Sequence, residues 1–471
     1  MRLEVNNNKC KLNVGPKEMI KLDKAFSIRV PGAFFSLAFR HGDWDGKKHF
    51  ITEAGYFKTG LLPEVVKFYK KEFPDKPITF DTDNSNLVKV KDVSKLKNFK
   101  LRPNQEAAVK AITDNYVDNL YFPRGILKAS TNAGKTYIAA GLFYAFNKQP
   151  TILLLNNSTL FDQFKKELPE LLGDDFGYIQ GNEIHWGNFT MAMVPTLVSK
   201  IKKGQFINKL AQFRTVIVDE CHLVTSKSYS TVLFKLFNTL VRVGMSGSPL
   251  NHKDKVKNKA VEEFLGEVVH TITSKELEEK GYSAPLTCRI LQGNTKHDYP
   301  GDYQLEYEKG IVKNKERNKR VWKRVAICAR KERLPFLIII KNHEHINQLL
   351  NCIPEAIKND YVVKHIHHKV KNRMNILQEF KDGQVDILIS SMIIKIGQNM
   401  PLMKAALNAG GGDSDINTLQ LLGRGKRAHK GKKKTYYYDF YDQGSYLKRH
   451  SKHRIRMMKS EGHKVIESYV K

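Results

Sequence analysis

Short, wholly apolar runs separated by longer amphipathic stretches dominate the chain from Leu101 onward. TILLLN, FTMAMV and TVIVDE fall in one region, FLIII and DILIS in another. Runs this short and this uniformly apolar read as strands buried on both faces. Their alternation with helical stretches predicts parallel α/β sheets, one from Leu101 to about Ile272 and a second from about Pro285 to Tyr441. Residues 1–97 differ. Short strand-like runs alternate there with turns, and an amphipathic helix is predicted over Leu62 to Phe73. The polar stretch TFDTDNSNLVKVKDVSKLKNFK reads as a linker. The expected fold class is therefore α/β: two tandem parallel-sheet domains preceded by a small α+β domain. The expected divisions are 1–97, 98–280, 281–445 and a basic helical tail over 446–471. No repeat of 20–50 residues and no low-complexity tract is visible.

A chain of 471 residues suggests about three domains, in keeping with that division. Its formal net charge of +31 changes the picture more. A protein this basic meets a polyanion, and nucleic acid is the commonest one. A membrane partner is not expected, because no apolar run approaches ~18 residues. The excess sits on both flanks. Residues 1–97 hold nineteen Lys/Arg against twelve Asp/Glu, and residues 421–471 hold fifteen against four. The five cysteines are scattered and form no CxxC pair, so neither a disulfide framework nor a cysteine zinc site is expected. The start, MRLEVNNNKC, lacks a secretory pattern, and the expected location is the cytoplasm.

Three motifs carry chemistry. ASTNAGKT (Ala129 to Thr136) follows a strand-like run and opens a helix. A phosphate loop needs that setting, because backbone N–H groups and the helix N-terminus then face the phosphates. Lys135 would reach the β/γ-phosphates of ATP, and Thr136 would ligate Mg²⁺. VIVDECH (Val216 to His222) ends a buried strand in two adjacent carboxylates, 84 residues after Lys135. Asp219 is suited to Mg²⁺ and Glu220 to polarising the attacking water. QLLGRGKR (Gln420 to Arg427) places Arg424 and Arg427 three apart, on one helix face. Guanidinium groups there can stabilise charge on a transferring phosphate. Each motif also has a bland reading, as a small-residue turn, an acidic strand end or a solvated basic helix. Their joint occurrence argues against it.

The set resembles the DExH helicases of superfamily two. LRPNQ is similar to that family's adenine-reading motif, SGS to its third motif, and QLLGRGKR to its sixth. The resemblance implies two RecA-like motor domains, with ATP held by Leu101, Arg102, Gln105, Thr131, Asn132, Ala133, Gly134, Lys135, Thr136, Asp219 and Gly397. It implies catalysis by Lys135, Glu220, Gln420, Arg424 and Arg427, and coupling to nucleic acid through His222, Ser246, Gly247 and Ser248. Asn156 to Phe164 and Val194 to Leu197 resemble strand-gripping motifs of the first motor domain. Ile338 to Asn342 and Ser390 to Pro401 resemble those of the second. Candidate DNA contacts in the motor are Thr196, Asn342, His367 and Ser391. FRHGDWDGKKHF (Phe39 to Phe50) and GLLPEVVKF (Gly60 to Phe68) resemble the accessory domain of the phage UvsW-type branched-DNA helicases. That implies Arg40, Trp44, Lys47 and Lys48 as further DNA contacts.

Two positions depart from the family pattern. In IGQNMP, Asn399 stands where an Asp is usual, and Asn132 stands where many relatives have Gly. Asn tolerates left-handed backbone best after Gly, so the turn survives. HIHH (His365 to His368) lacks a nearby carboxylate or thiol and reads as a surface or nucleic-acid-facing loop. Trp44 reads equally well as a packed core residue. The function expected is an ATP- and Mg²⁺-dependent helicase on branched, forked or single-stranded DNA, acting as a monomer. The rivals are a duplex translocase, an RNA helicase, and a DNA-annealing protein with a degenerate motor.

Overall fold

Strand formation follows the apolar runs closely. The computed structural model describes residues 1–82, 89–96, 98–250, 254–293, 301–367, 369–391, 400, 402–412, 434–460 and 462–468. The chain divides into two compact units, Met1–Ile272 and Thr273–Lys471.

The first unit opens with an antiparallel pair, β1 (Arg2–Val5) and β2 (Lys9–Asn13). A small ladder comes next, formed by β3 (Ser27–Arg29) and β4 (Lys47–His49). β5 (Tyr56–Lys58) then pairs antiparallel with β2, and β6 (Thr79–Thr82) pairs parallel with β1, giving the order β5-β2-β1-β6. The amphipathic stretch forms a helix over Leu62–Glu72, which buries Leu62, Val65, Val66 and Tyr69.

This layer shares its core with the next segment of the chain. β7 (Tyr116–Val117) and β8 (Leu120–Tyr121) form a short hairpin, and Val117 and Phe122 pack into the same cluster as Leu3, Leu22 and Tyr69. Gly60 lies so close to the Lys255–Leu265 helix that a Cβ there would collide with the backbone carbonyls of Glu262 and Glu263. Lys259 Nζ bonds both Glu64 carboxylate oxygens at 2.6 Å. Residues 1–97, expected as a domain of their own, are therefore packed into one unit with the residues that come after them.

The large sheet of this unit uses β9 (Arg124–Ala129), β10 (Thr151–Leu155), β11 (Phe176–Gln180), β12 (Glu183–His185), β13 (Phe189–Met193), β14 (Thr215–Asp219), β15 (Val241–Ser246) and β16 (Val268–Ile272). Their order is β12-β11-β13-β10-β14-β15-β9-β16. Every neighbouring pair is parallel except β11 with β12. All five residues of β10 and of β14 are buried, as strands covered on both faces require.

The second unit holds a wholly parallel seven-stranded sheet: β17 (Leu286–Gln292), β18 (Phe336–Ile340), β19 (Val363–Ile366), β20 (Ile387–Ser391), β21 (Ala405–Asn408), β22 (Thr435–Tyr441) and β23 (Lys464–Glu467). Their order is β19-β20-β18-β21-β22-β17-β23. Buried arginines lock it: Arg317 pairs with Asp442 at 2.9 Å, and Arg454 with Asp439 at 2.8 Å. The expected helical tail over 446–471 needs correction. Ser445–Ser460 is helical, but β23 then adds to the sheet beside β17, so this stretch completes the domain.

The close approach at Gly60 has a measurable consequence. Gly60→Ala is expected to destabilise the first unit by about 1–3 kcal/mol in chemical denaturation, because backbone carbonyls cannot rotate away. An unchanged denaturation midpoint would contradict the packing described.

Candidate active site

β14, β15 and β9 are neighbours, and all run the same way. Their carboxyl ends therefore bring three separate motifs to one edge of the sheet. β9 ends at Ala129, and the loop Ser130 to Gly134 leads into a helix over Lys135–Ala145. Asn132 (φ 73°) and Gly134 (φ 79°) both take left-handed backbone, which curls the loop over the helix start. A loop of this shape at a helix N-terminus presents N–H groups to an anion.

Lys135 Nζ lies 2.9 Å from Asp219 Oδ1 and 3.5 Å from Glu220 Oε1. Asp219 is 2 % exposed. Burial alone would lower the Lys135 pKa, but the facing carboxylates raise it above the ordinary lysine range. Burial pushes the Asp219 carboxyl up, against the pull of Lys135. Glu220 is also disfavoured by burial, yet Lys135, His222 and the Ser246 hydroxyl hold it below the usual carboxylate range. Glu220 sits just past β14 at φ 49°, a left-handed conformation that turns its side chain away from the strand's own alternation.

The SGS motif closes the third side. Ser246 Oγ donates to Glu220 Oε2 at 3.0 Å, and it accepts from the Ser248 N–H at 3.2 Å. His222 Nδ1 lies 3.4 Å from the same hydroxyl and 3.5 Å from Glu220 Oε2. Glu220 is thus wired to β15 through one buried serine. Gln105 holds the phosphate loop from the other side. Its Nε2 donates to Ala133 O at 3.0 Å, while its Oε1 accepts from the Arg102 N–H at 2.9 Å. Leu101 is buried close to the Lys135–Ala145 helix. Thr136 Oγ1 donates to Glu167 Oε2 at 2.7 Å. Sequence alone does not single out Glu167, because it lies mid-helix in Ser158–Leu172 with no motif around it.

In this first unit the geometry gathers Gln105, Thr131 to Thr136, Asp219, Glu220, His222 and Ser246 to Ser248. Gly397, Gln420, Arg424 and Arg427 lie outside the described residues, as do Asn399 and His368.

The other DNA candidates are dispersed. Arg40, Lys47 and Lys48 are exposed, and Arg40 Nε donates to Phe34 O at 3.1 Å. Trp44 is half-buried, with its indole N–H donated to Lys47 O at 2.7 Å. It is a brace for the β4 turn and lies outside the domain's core cluster. Thr196 is tied to the Gly181 N–H at 3.0 Å. In the second unit Asn342 Oδ1 accepts from the His345 N–H at 3.2 Å. His367 stacks with His365 and with His343, ring centroids 6.0 Å apart in each case; His343 lies in no motif of the sequence. Ser391 ends β20 with a buried hydroxyl. The helix Ser445–Ser460 adds an exposed basic face of Lys448, Arg449, Lys452 and Arg456, visible beforehand only as a charge excess. Among the described residues no helix is long and apolar enough to cross a membrane.

A phosphate loop, a paired carboxylate and a serine relay on neighbouring strand ends, followed by a second parallel-sheet unit, define an ATP-hydrolysing motor of the helicase class. Comparisons with known proteins agree. Residues 98–251 match the family described as Type III restriction enzyme, res subunit, and residues 318–429 match the helicase conserved C-terminal domain. The chain is 26% identical over 438 residues to the ATP-dependent DNA helicase uvsW of Enterobacteria phage T4, covering 86% of this chain and 83% of that one. It is 25% identical over 363 residues to the DNA 3'-5' translocase XPB2 of Sulfurisphaera tokodaii, covering 69% and 78%. A solved structure of a point variant of S. cerevisiae Dbp5 bound to RNA and ADP BeF3 shares the fold. Its TM-score is 0.51 at 13% identity, covering 80% of this chain and 92% of that one. The chain belongs to the superfamily-two ATP-dependent helicases and is related to UvsW.

Removing the ammonium that faces the buried Asp219 and the half-buried Glu220 carboxylates leaves the site without its cation. Lys135→Ala is expected to lower DNA-stimulated ATP turnover by roughly 10³-fold or more while the protein stays folded by circular dichroism. Turnover within a few fold of wild type would place ATP hydrolysis elsewhere.

Proposed function

We propose that the chain is a DNA helicase for branched substrates, unwinding or regressing forks and migrating junctions during phage replication, recombination or repair. In this reading Gln105 lies beside the adenine, Lys135 contacts the β/γ-phosphates, and Glu220 orients the attacking water. Thr136 and Asp219 would hold Mg²⁺. A buried carboxylate and a hydroxyl beside the phosphate loop are the hard oxygen donors that ion takes. When bound, the ion neutralises phosphate oxygens. Arg424 and Arg427 are proposed to stabilise the γ-phosphate charge in turnover, with Gln420 beside them and Gly397 in the nucleotide contacts. Ser246 carries the state of Glu220 to β15 and so toward nucleic acid.

The observation that carries branch specificity is the packing of the first domain onto the motor. Residues 1–97 share a core with Val117 and Phe122 and are pinned by the Lys259–Glu64 pair. The exposed Arg40, Lys47 and Lys48 are thereby held at fixed positions relative to the ATP loops. A rigid basic surface beside a strand-tracking motor can hold a second duplex arm by its phosphates. The relation to UvsW supports the same reading. The shared core also rules out simple deletion as a test, because removing residues 1–97 would strip the motor of part of its interior.

Charge reversal tests the proposal instead. The Lys47→Glu, Lys48→Glu double variant is expected to keep ATPase on single strands. Its affinity for forked and four-way DNA should fall about tenfold or more against linear duplex, with the salt slope reduced by about two phosphate contacts. An unchanged branched-to-linear ratio would move branch recognition to the motor or to the basic Ser445–Ser460 helix.

A further inference from the structure

The amino ends of β9 and β15, opposite the ATP loops, hold two arginines where a pair of like charges is least expected. Arg124 and Arg242 are register partners on adjacent strands, 2 % and 3 % exposed. Neither forms an ion pair among the described residues. Arg242 is satisfied as a structural arginine: it donates to Asn8 Oδ1, to Leu236 O at 3.2 Å and to Thr239 O at 3.5 Å. The Arg124 guanidinium has no hydrogen-bond partner among the described residues; its side-chain contact is with the Phe122 ring, 5.8 Å away. Burial and the neighbouring Arg242 both push its pKa down. An uncompensated buried cation is costly, and proteins rarely keep one without a partner.

Arg124 lines a cavity of about 670 Å³ between the first domain and the large sheet, within one compact unit. That volume is in the range of small-molecule sites. Tyr121 lines the same space. Tyr116 also lines the cavity. It is 58 % exposed, and its ring centroid lies 5.3 Å from that of Tyr121. Asp114 is an acidic liner, but it forms no ion pair with Arg124 among the described residues.

We propose that this cavity is a binding site for a phosphate ester, with the Arg124 guanidinium donating to its oxygens and the exposed Tyr116 ring stacking an attached base. The Arg124 guanidinium is buried without a hydrogen-bond partner among the described residues, and phosphate oxygens offer it both the opposite charge and a bidentate acceptor. The aromatic face favours a nucleotide unit over a bare anion. The site is separate from the ATP loops, since it lies at the opposite ends of the same strands. It could be filled by a free nucleotide or by a nucleotide at a DNA terminus, and the chemistry of recognition is the same.

The test uses the full chain carrying Lys135→Ala, so that the phosphate loop is already disabled, with inorganic phosphate, thymidine monophosphate and a 5′-phosphorylated thymidine trinucleotide as probes. Each probe is followed by calorimetry and by its effect on Tm. A probe at tenfold over its Kd is expected to raise Tm by about 2 °C. Adding Arg124→Gln should weaken binding about tenfold or more. Without probe, Arg124→Leu should leave Tm unchanged or raised, because it removes a charge that nothing balances. Tighter binding of the trinucleotide would assign the site to a DNA terminus, and tighter binding of the monophosphate to a free nucleotide. Three results overturn the proposal: no Tm shift with any probe at about 10 mM, a shift undiminished by Arg124→Gln, or a fall in Tm with Arg124→Leu, which would make Arg124 a structural residue.

Discussion

One ammonium shared between a buried and a half-buried carboxylate sets the terms for the first unit's chemistry. Lys135 faces Asp219 and Glu220 across neighbouring strand ends, and burial strengthens every charge there. The cluster exists only because β14 and β15 lie between β10 and β9 with all four strands parallel. A different strand order would separate the phosphate loop from its carboxylates. Left-handed backbone at Asn132, Gly134 and Glu220 then aims the groups inward, and such backbone persists where the surroundings over-determine it. Two hydrogen-bonded clamps supply that constraint: Gln105 on the loop and Ser246 on Glu220.

The same sheet does a second job at its other edge. The first domain packs against the strands' amino ends and the Lys255–Leu265 helix, with Gly60 in close approach and a core running through Val117 and Phe122. That union makes the basic turn around Lys47 a fixed feature of the motor. It also encloses the cavity with Arg124 at its lining. The phosphate loop and the proposed DNA-holding surface thus belong to one compact unit.

Much of this was legible in the sequence. TVIVD and FLIII announce buried parallel strands because no other element stays apolar for five residues on both faces. The phosphate loop and the DECH segment were readable because their chemistry requires fixed residue types at short spacing. Other features depend on contacts between distant segments, and those leave no local pattern. Glu167 meets Thr136 from mid-helix. KVIE, following a basic helix, gives little sign that β23 finishes the second sheet. The domain division at residue 97 rested on a polar stretch, yet apolar residues on both sides of it join one core. Trp44 was ambiguous by composition alone, and only its bond to Lys47 O shows a brace. Arg124 looks like any strand-end arginine until its missing partner is seen.

The claim at the centre is that neighbouring strand ends assemble an ATP-hydrolysing site coupled to DNA. The most direct measurement is steady-state ATP turnover by the unaltered chain, with Mg²⁺, before and after adding single-stranded and forked DNA. Slow basal turnover rising tenfold or more with DNA, at about the scale usual for such motors, is the expected result. No hydrolysis with any DNA, or hydrolysis indifferent to it, would contradict the account.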